Sequence, residues 1–319
     1  MKPYKTILLS LLILPLPLLL GSCEKEEEIE NTRWVLVWSD EFDTPTPDNR
    51  PDPSKWTYEK GASGYGNQEL QNYTDRVENA SYTTHKGLGC LKITALNDNY
   101  DGVAYSSARI KTEGLFEQRY GRFEARLKLP YGPGLWPAFW MLGANIGSVG
   151  WPSCGEIDIM EAINAENKTY GTCHWNANGH AEYGKPTGNF DITQYHTYGL
   201  QWDNQYIRFF VDGNKFYEMS IANNAGDTDE FHKPFYLLLN VAVGGNWPGF
   251  SIDDSAFPQE MKVDYVRVYQ DNPSFDSSSS NNVDKNNGGN SGNTGSTGNT
   301  GNTGNTDTSN TPASGMGMN

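Results

Sequence analysis

Cys154-Gly155-Glu156-Ile157-Asp158-Ile159-Met160-Glu161-Ala162 decides how the chain reads, because three carboxylates interrupt a run of apolar residues. Glu156 to Ile159 alternate acid with isoleucine, which on a strand sends both acids to one face and both isoleucines to the other. Met160 breaks the alternation. On a regular strand Glu161 would turn into the core, where an unpaired carboxylate is costly. A β-bulge around Ile159-Met160 sets two residues against one on the partner strand and returns Glu161 to the face of Glu156 and Asp158. The two glutamates then stand about 13 Å apart at Cα by strand rise, with side chains free to lean together on a concave sheet. Retaining glycosidases hold two carboxyl groups only about 5 to 5.5 Å apart, one as nucleophile and one as acid then base, and this strand can supply both. A generic acidic strand is more simply a solvated surface; the bulge spacing and the neighbouring aromatics reverse that preference here.

Working outward, residues 34–43 read as a first strand running into an acidic corner, followed by a Pro- and Asp-rich loop over 44–54. Further strands are expected over 87–95, 107–111, 121–129 and 136–142, each bounded by Gly or Pro. Residues 197–202, 206–211 and 215–219 form a meander with a tight turn at Asp212-Gly213, and 235–243 and 262–270 complete the set. No segment sustains a 3.6-residue period. The expected fold is all-β, with two packed antiparallel sheets.

The chain has 319 residues and a formal net charge of -15, which argues against nucleic acid and against anionic polysaccharide as partners. A neutral glycan fits better. Nine Trp, eighteen Tyr and thirteen Phe suit the stacking of flat ligands, although large β cores are also aromatic-rich. No Cys/His cluster has zinc spacing, and no glycine loop follows a strand and opens a helix, so transition-metal and nucleotide chemistry are not indicated.

Lys2 and Lys5 precede an apolar run over 7–20, broken by Pro15 and Pro17, which reads as an export signal over 1–22. The acidic run Glu24-Lys25-Glu26-Glu27-Glu28 reads as a solvated tether over 23–32. The folded domain is expected over 33–270. Residues 271–319 are rich in Ser, Asn, Gly and Thr, too poor in apolar surface to order themselves. Export permits a disulfide between Cys154 and Cys173, although their register is offset.

Glu156-Ile157-Asp158-Ile159-Met160-Glu161 resembles the bulged signature strand of glycoside hydrolase family 16 as found in laminarinase-like endo-β-1,3-glucanases. The resemblance extends through Gly64-Tyr65-Gly66-Asn67-Gln68-Glu69-Leu70-Gln71-Asn72-Tyr73-Thr74, Ala108-Arg109-Ile110-Lys111, Tyr120-Gly121-Arg122-Phe123-Glu124, Leu135-Trp136-Pro137-Ala138-Phe139-Trp140-Met141-Leu142 and Asp264-Tyr265-Val266-Arg267-Val268-Tyr269, in the family's order. It implies a jelly roll with a concave cleft, Glu156 as nucleophile, Glu161 as acid/base and Asp158 as the group that tunes the nucleophile. It places Trp136, Trp140 and Trp151 along the glycone side of the cleft, with Trp247 as a further candidate. Asn67 and Arg109 match residues that hold sugar hydroxyls and orient the nucleophile, and His174 borders the catalytic strand. For Arg109 the alternative is an internal ion pair.

Many members of this family bind a structural calcium away from the cleft, and the matching positions are Glu41, Gly89 and Asp264; oxygen donors from distant segments suit that ion. Leu20-Gly21-Ser22-Cys23 resembles a bacterial lipobox, which makes Cys23 a lipid anchor, and the acidic run after it is similar to surface-export signals of Bacteroidetes lipoproteins. Several acyl chains give stable attachment. The expectation is a monomeric, envelope-attached outer-membrane lipoprotein, with surface display as the further expectation, that hydrolyses β-1,3 links in laminarin-type or mixed-linkage glucans without a catalytic cofactor. The competing expectations are an agarase-like galactanase of the same family and a glycan-binding lipoprotein that does not cleave.

Overall fold

The computed structural model describes residues 33–274. The expected signal peptide, Cys23, the tether and almost all of the C-terminal tail lie outside the described residues.

Two sheets stack face to face. The seven-stranded sheet runs, in spatial order, β12 (His180–Pro186), β11 (Tyr170–Asn176), β10 (Glu156–Glu161), β9 (Leu135–Gly143), β16 (Phe235–Val243), β7 (Arg109–Lys111) and β2 (Thr57–Glu59). The ten-stranded sheet runs β15 (Asn214–Ser220), β14 (Tyr206–Val211), β13 (His196–Trp202), β8 (Gly121–Lys128), β17 (Gln259–Asp271), β5 (Leu88–Tyr100), β6 (Val103–Ser107) and β3 (Gln71–Tyr73). In it β1 (Trp34–Asp40) pairs with the far half of β17, and β4 (Ala80–His85) pairs with β5. The all-β expectation holds, with the three-residue edge strand β3 running parallel to β6 as its one departure from antiparallel pairing among the described strands.

Alternation explains which side chains meet. Phe235, Leu237, Leu239, Val241 and Val243 of β16 face Phe123, Leu200, Phe209, Val266 and Val268 of the other sheet in one apolar core. Burying each such side chain is worth about 1.5–3 kcal/mol, which makes this layer the main source of stability. The opposite face of β16 and β9 is also covered: Ala138, Trp140, Leu142, Tyr236 and Leu238 pack with Cys154 into a second cluster. That cluster stiffens the sheet from outside, beneath the site.

Two local expectations change, and the disulfide that export would permit is absent. Residues 107–111 are not one strand: β6 ends at Ser107 and β7 begins at Arg109, in different sheets, with Ala108 buried at the crossing. Strands β4 and β12 escaped the reading because Thr, Ser, Glu and Lys dilute the apolar alternation, and β12 is largely exposed. Cys154 and Cys173 are both free and buried, in different clusters, Cys154 outside the sheet and Cys173 in the core between the sheets. Side chains on opposite faces of one sheet cannot be bridged.

Candidate active site

Pairing with β9 sets Asp158 against Trp140 and Met160 against Phe139, so Ile159 is the extra residue of a bulge. The register with β11 jumps over the same segment, between Asp158 and Glu161. Ile159 and Met160 consequently both enter the core, and Glu161 emerges on the face of Glu156 and Asp158. The expected bulge is present. The three acids line a cleft of about 350 Å³ walled by Trp136, Trp140, Trp151, Tyr65, Asn67 and Arg109.

Two indoles hold the outer carboxylates. Trp151 Nε1 donates to Glu156 Oε2 at 3.0 Å, and Trp136 Nε1 donates to Glu161 Oε1 at 2.8 Å. Asp158 lies between them in sequence and deepest in the sheet, with its Oδ2 3.2 Å from His174 Nε2 but without a well-aligned hydrogen bond. Burial and mutual repulsion raise all three pKa values, unequally. Glu156 is pushed up to about 8 by burial and by Asp158, against the opposing pull of His174, Arg109 and the Trp151 N–H. Asp158 is held well above the usual carboxylate range by burial and then by the charge of Glu182. Glu161 is likewise raised well above its ordinary value, by burial first and then by Asp158. Glu156 is also the most open of the three to the cleft, where water tempers the burial effect.

The remaining expected residues fall into distinct places. Trp140 is floor: its Nε1 donates to Asn240 Oδ1 at 2.8 Å, and the Arg109 guanidinium lies 4.5 Å from its ring centre. Arg109 pairs with Glu59 at 2.8 Å, so the internal ion pair is present and the guanidinium reaches Glu156 only through its field. Asn67 sits in the turn at the cleft rim, its carbonyl accepting from Asn246 N at 2.7 Å. Trp151 is 49% exposed and Trp247 39%, the latter edge-on to Trp136 with ring centres 5.4 Å apart. His174 flanks Asp158, as expected of a bordering residue.

Sequence reasoning missed Asn240 and Glu69. Asn240 joins Trp140 to the Tyr73 hydroxyl, and Tyr73 donates to Glu69 Oε2 at 3.0 Å, forming a polar chain across the cleft floor. Burial raises the Glu69 pKa. Glu69 was visible as a charge within the 64–74 block, whereas Asn240 stands in an apolar strand with no neighbouring polar signal.

The three calcium positions converge where β17 exchanges one neighbour for another. Leu91 pairs with Val263 and Asp40 with Val266, and Asp264 is the residue skipped in the β8 register. A Cβ on Gly89 would lie 2.5 Å from Phe42 O, so only glycine allows the two segments to approach this closely. Both Glu41 oxygens accept from Arg267, and Asp264 Oδ2 accepts from Arg126 at 2.8 Å. Carbonyls and one further Asp264 oxygen remain as donors, an all-oxygen set that fits a hard cation.

The family model for glycosyl hydrolases family 16 matches residues 54–267. The chain belongs to this family. It is 43% identical over 251 residues to a β-glucanase of Rhodothermus marinus, covering 74% of this chain and 85% of that one. It is 42% identical over 244 residues to the clotting factor G alpha subunit of Tachypleus tridentatus, covering 75% of this chain but only 34% of the larger protein. Among solved structures, the laminarinase catalytic domain of Thermotoga maritima MSB8 is similar, with TM-score 0.65 and 42% identity over 76% of this chain and all of that domain. The chain is a glycoside hydrolase.

Proposed function

We propose that this family 16 enzyme is a retaining endo-β-1,3-glucanase acting on laminarin-type or mixed-linkage β-glucans. The observation that carries the proposal is the single-residue skip at Ile159, which brings three acids to one aromatic-walled cleft. Likeness to a β-glucanase and a laminarinase supports the substrate class.

Glu156 attacks the anomeric carbon while Glu161 gives its proton to the departing glycosidic oxygen. The sugar is then esterified to Glu156. Glu161, now a carboxylate, takes a proton from water as that water displaces Glu156, which restores both groups and retains the β configuration. The Trp136 N–H steadies Glu161 when it is charged. Trp151 and Trp136 offer ring faces to the sugars bound in the cleft.

Incubating the purified protein with laminarin, barley mixed-linkage glucan, curdlan and agarose in parallel tests the reading. Short β-1,3-linked oligomers from laminarin, absent with Glu156→Gln, are expected. Cleavage of agarose alone would move the assignment to a galactanase, and silence on all four would leave a binding protein.

We further propose that Glu41, Gly89 and Asp264 hold a structural calcium, and that the mature chain is a monomer anchored to the outer membrane through acylated Cys23. Loss of a lipid mass shift in Cys23→Ser tests the anchor.

A further inference from the structure

The chain contains five histidines, and two of them meet at the rim of the cleft. Pairing of β11 with β12 places His174 opposite Glu182 and Asn176 opposite His180, which brings His180 diagonally beside His174 on the same face. His174 Nδ1 lies 2.9 Å from His180 Nε2 and 3.6 Å from Glu182 Oε2, and one ligand atom from each of the three residues falls within 4.8 Å of the others. The other three histidines have separate partners: His85 lies against Tyr195, His196 against Asp212 and His232 against Tyr120.

We propose that His174, His180 and Glu182 form a site for a borderline-soft divalent metal of the zinc type, and that its occupation inhibits the hydrolase. Two imidazoles and one carboxylate make a donor set that suits zinc, copper or nickel and is a poor match for calcium. A tetrahedral ion with nitrogens at about 2.0–2.1 Å needs them roughly 3.3 Å apart, a few tenths wider than the present 2.9 Å. His180 and Glu182 are exposed, so the ion enters from solvent and keeps water in the remaining position.

The placement of His174 favours the same assignment. Its Nε2 lies 3.2 Å from Asp158 Oδ2, so Nδ1 is the nitrogen that faces His180 and Glu182. A metal would replace the contact between His174 Nδ1 and His180 Nε2, with both nitrogens offering lone pairs.

Occupation reaches the reaction through Trp151. Its ring centre lies 4.7 Å from that of His180, and its N–H donates to Glu156. Fixing His180 on a metal fixes this wall and with it the N–H donor that holds Glu156. Only the inhibitory half of this proposal rests on the hydrolase reading.

Titration calorimetry of the substrate-free protein with zinc, and visible absorption after adding cobalt(II), report binding independently of activity. One zinc per chain and cobalt bands of low-symmetry coordination are expected. His180→Ala and Glu182→Gln should each lose at least the ~10-fold in affinity that removal of even an outer partner of a metal ligand costs. Zinc should slow laminarin hydrolysis by wild type, and at the same zinc concentration spare both variants when each is scored against its own metal-free rate. Zinc binding undiminished by His180→Ala, or equal inhibition of wild type and variant, would overturn the proposal and place the ion on Glu156 and Asp158 instead. Absence of both heat and cobalt bands overturns it outright, and binding without inhibition overturns its regulatory half. Zinc binding by a protein that cleaves no glucan would leave the site standing and remove the enzymatic reading.

Discussion

Replacing Trp136 with Phe keeps an aromatic ring in the cleft and removes one N–H, the donor 2.8 Å from Glu161 Oε1. That donor favours the ionised form of Glu161 and so lowers its pKa, against burial and Asp158, which raise it. A hydrogen bond to a charged group contributes about 1.5–3 kcal/mol. At 1.36 kcal/mol per pKa unit, its loss raises the Glu161 pKa by roughly one to two units. The alkaline limb of kcat/KM follows the acid that must stay protonated, so in Trp136→Phe this limb should move to higher pH by about that amount. Lost contact with sugar lowers the rate at every pH alike and displaces the profile downward without moving its limbs. The assay is laminarin hydrolysis at low substrate from acid to alkaline pH. A limb that stays in place or moves toward acid would refute the assignment of Glu161 as the proton donor held by Trp136.

Trp151→Phe removes the corresponding donor to Glu156 and should move the acidic limb upward while leaving the alkaline limb nearer its place. Asp158→Asn should cost activity and gain stability: above about pH 4 the unfolded chain releases this proton and the native carboxyl retains it, so wild-type stability falls as pH rises toward the raised native pKa. Thermal unfolding should show the variant equal to wild type at acid pH and higher at neutral pH, by about 2–4 °C per kcal/mol; a lower Tm at both would contradict the burial argument. Gly155 adopts φ +77°, and a Cβ there would lie 2.9 Å from both Glu230 Cβ and Phe235 Cζ. Gly155→Ala should therefore cost about 1–3 kcal/mol and displace the adjacent Glu156, lowering Tm and kcat together. Chelation followed by calcium addition should lower and then restore Tm with little change in kcat; an unmoved Tm would remove the calcium proposal.

Much of the site was legible because it is a local property of one strand. The acid-isoleucine alternation and its break at Met160 are written within six residues, and a bulge is the cheapest way to keep Glu161 out of the core. The sheets were legible for the same reason wherever apolar residues alternate strictly, as in Phe235–Val243. What sequence could not disclose depends on which strand lies next to which. Asn240 matters because β16 pairs with β9 and brings it to Trp140, a hundred residues away. The change of sheet at Ala108 depends on partners outside the local hairpin, β3 on one side and β16 and β2 on the other. The separation of Cys154 from Cys173, and the meeting of His174 with His180, were settled by register and face, which side-chain patterning within a single segment does not encode. Local chemistry chose the acids; long-range pairing chose the residues that hold, tune and flank them.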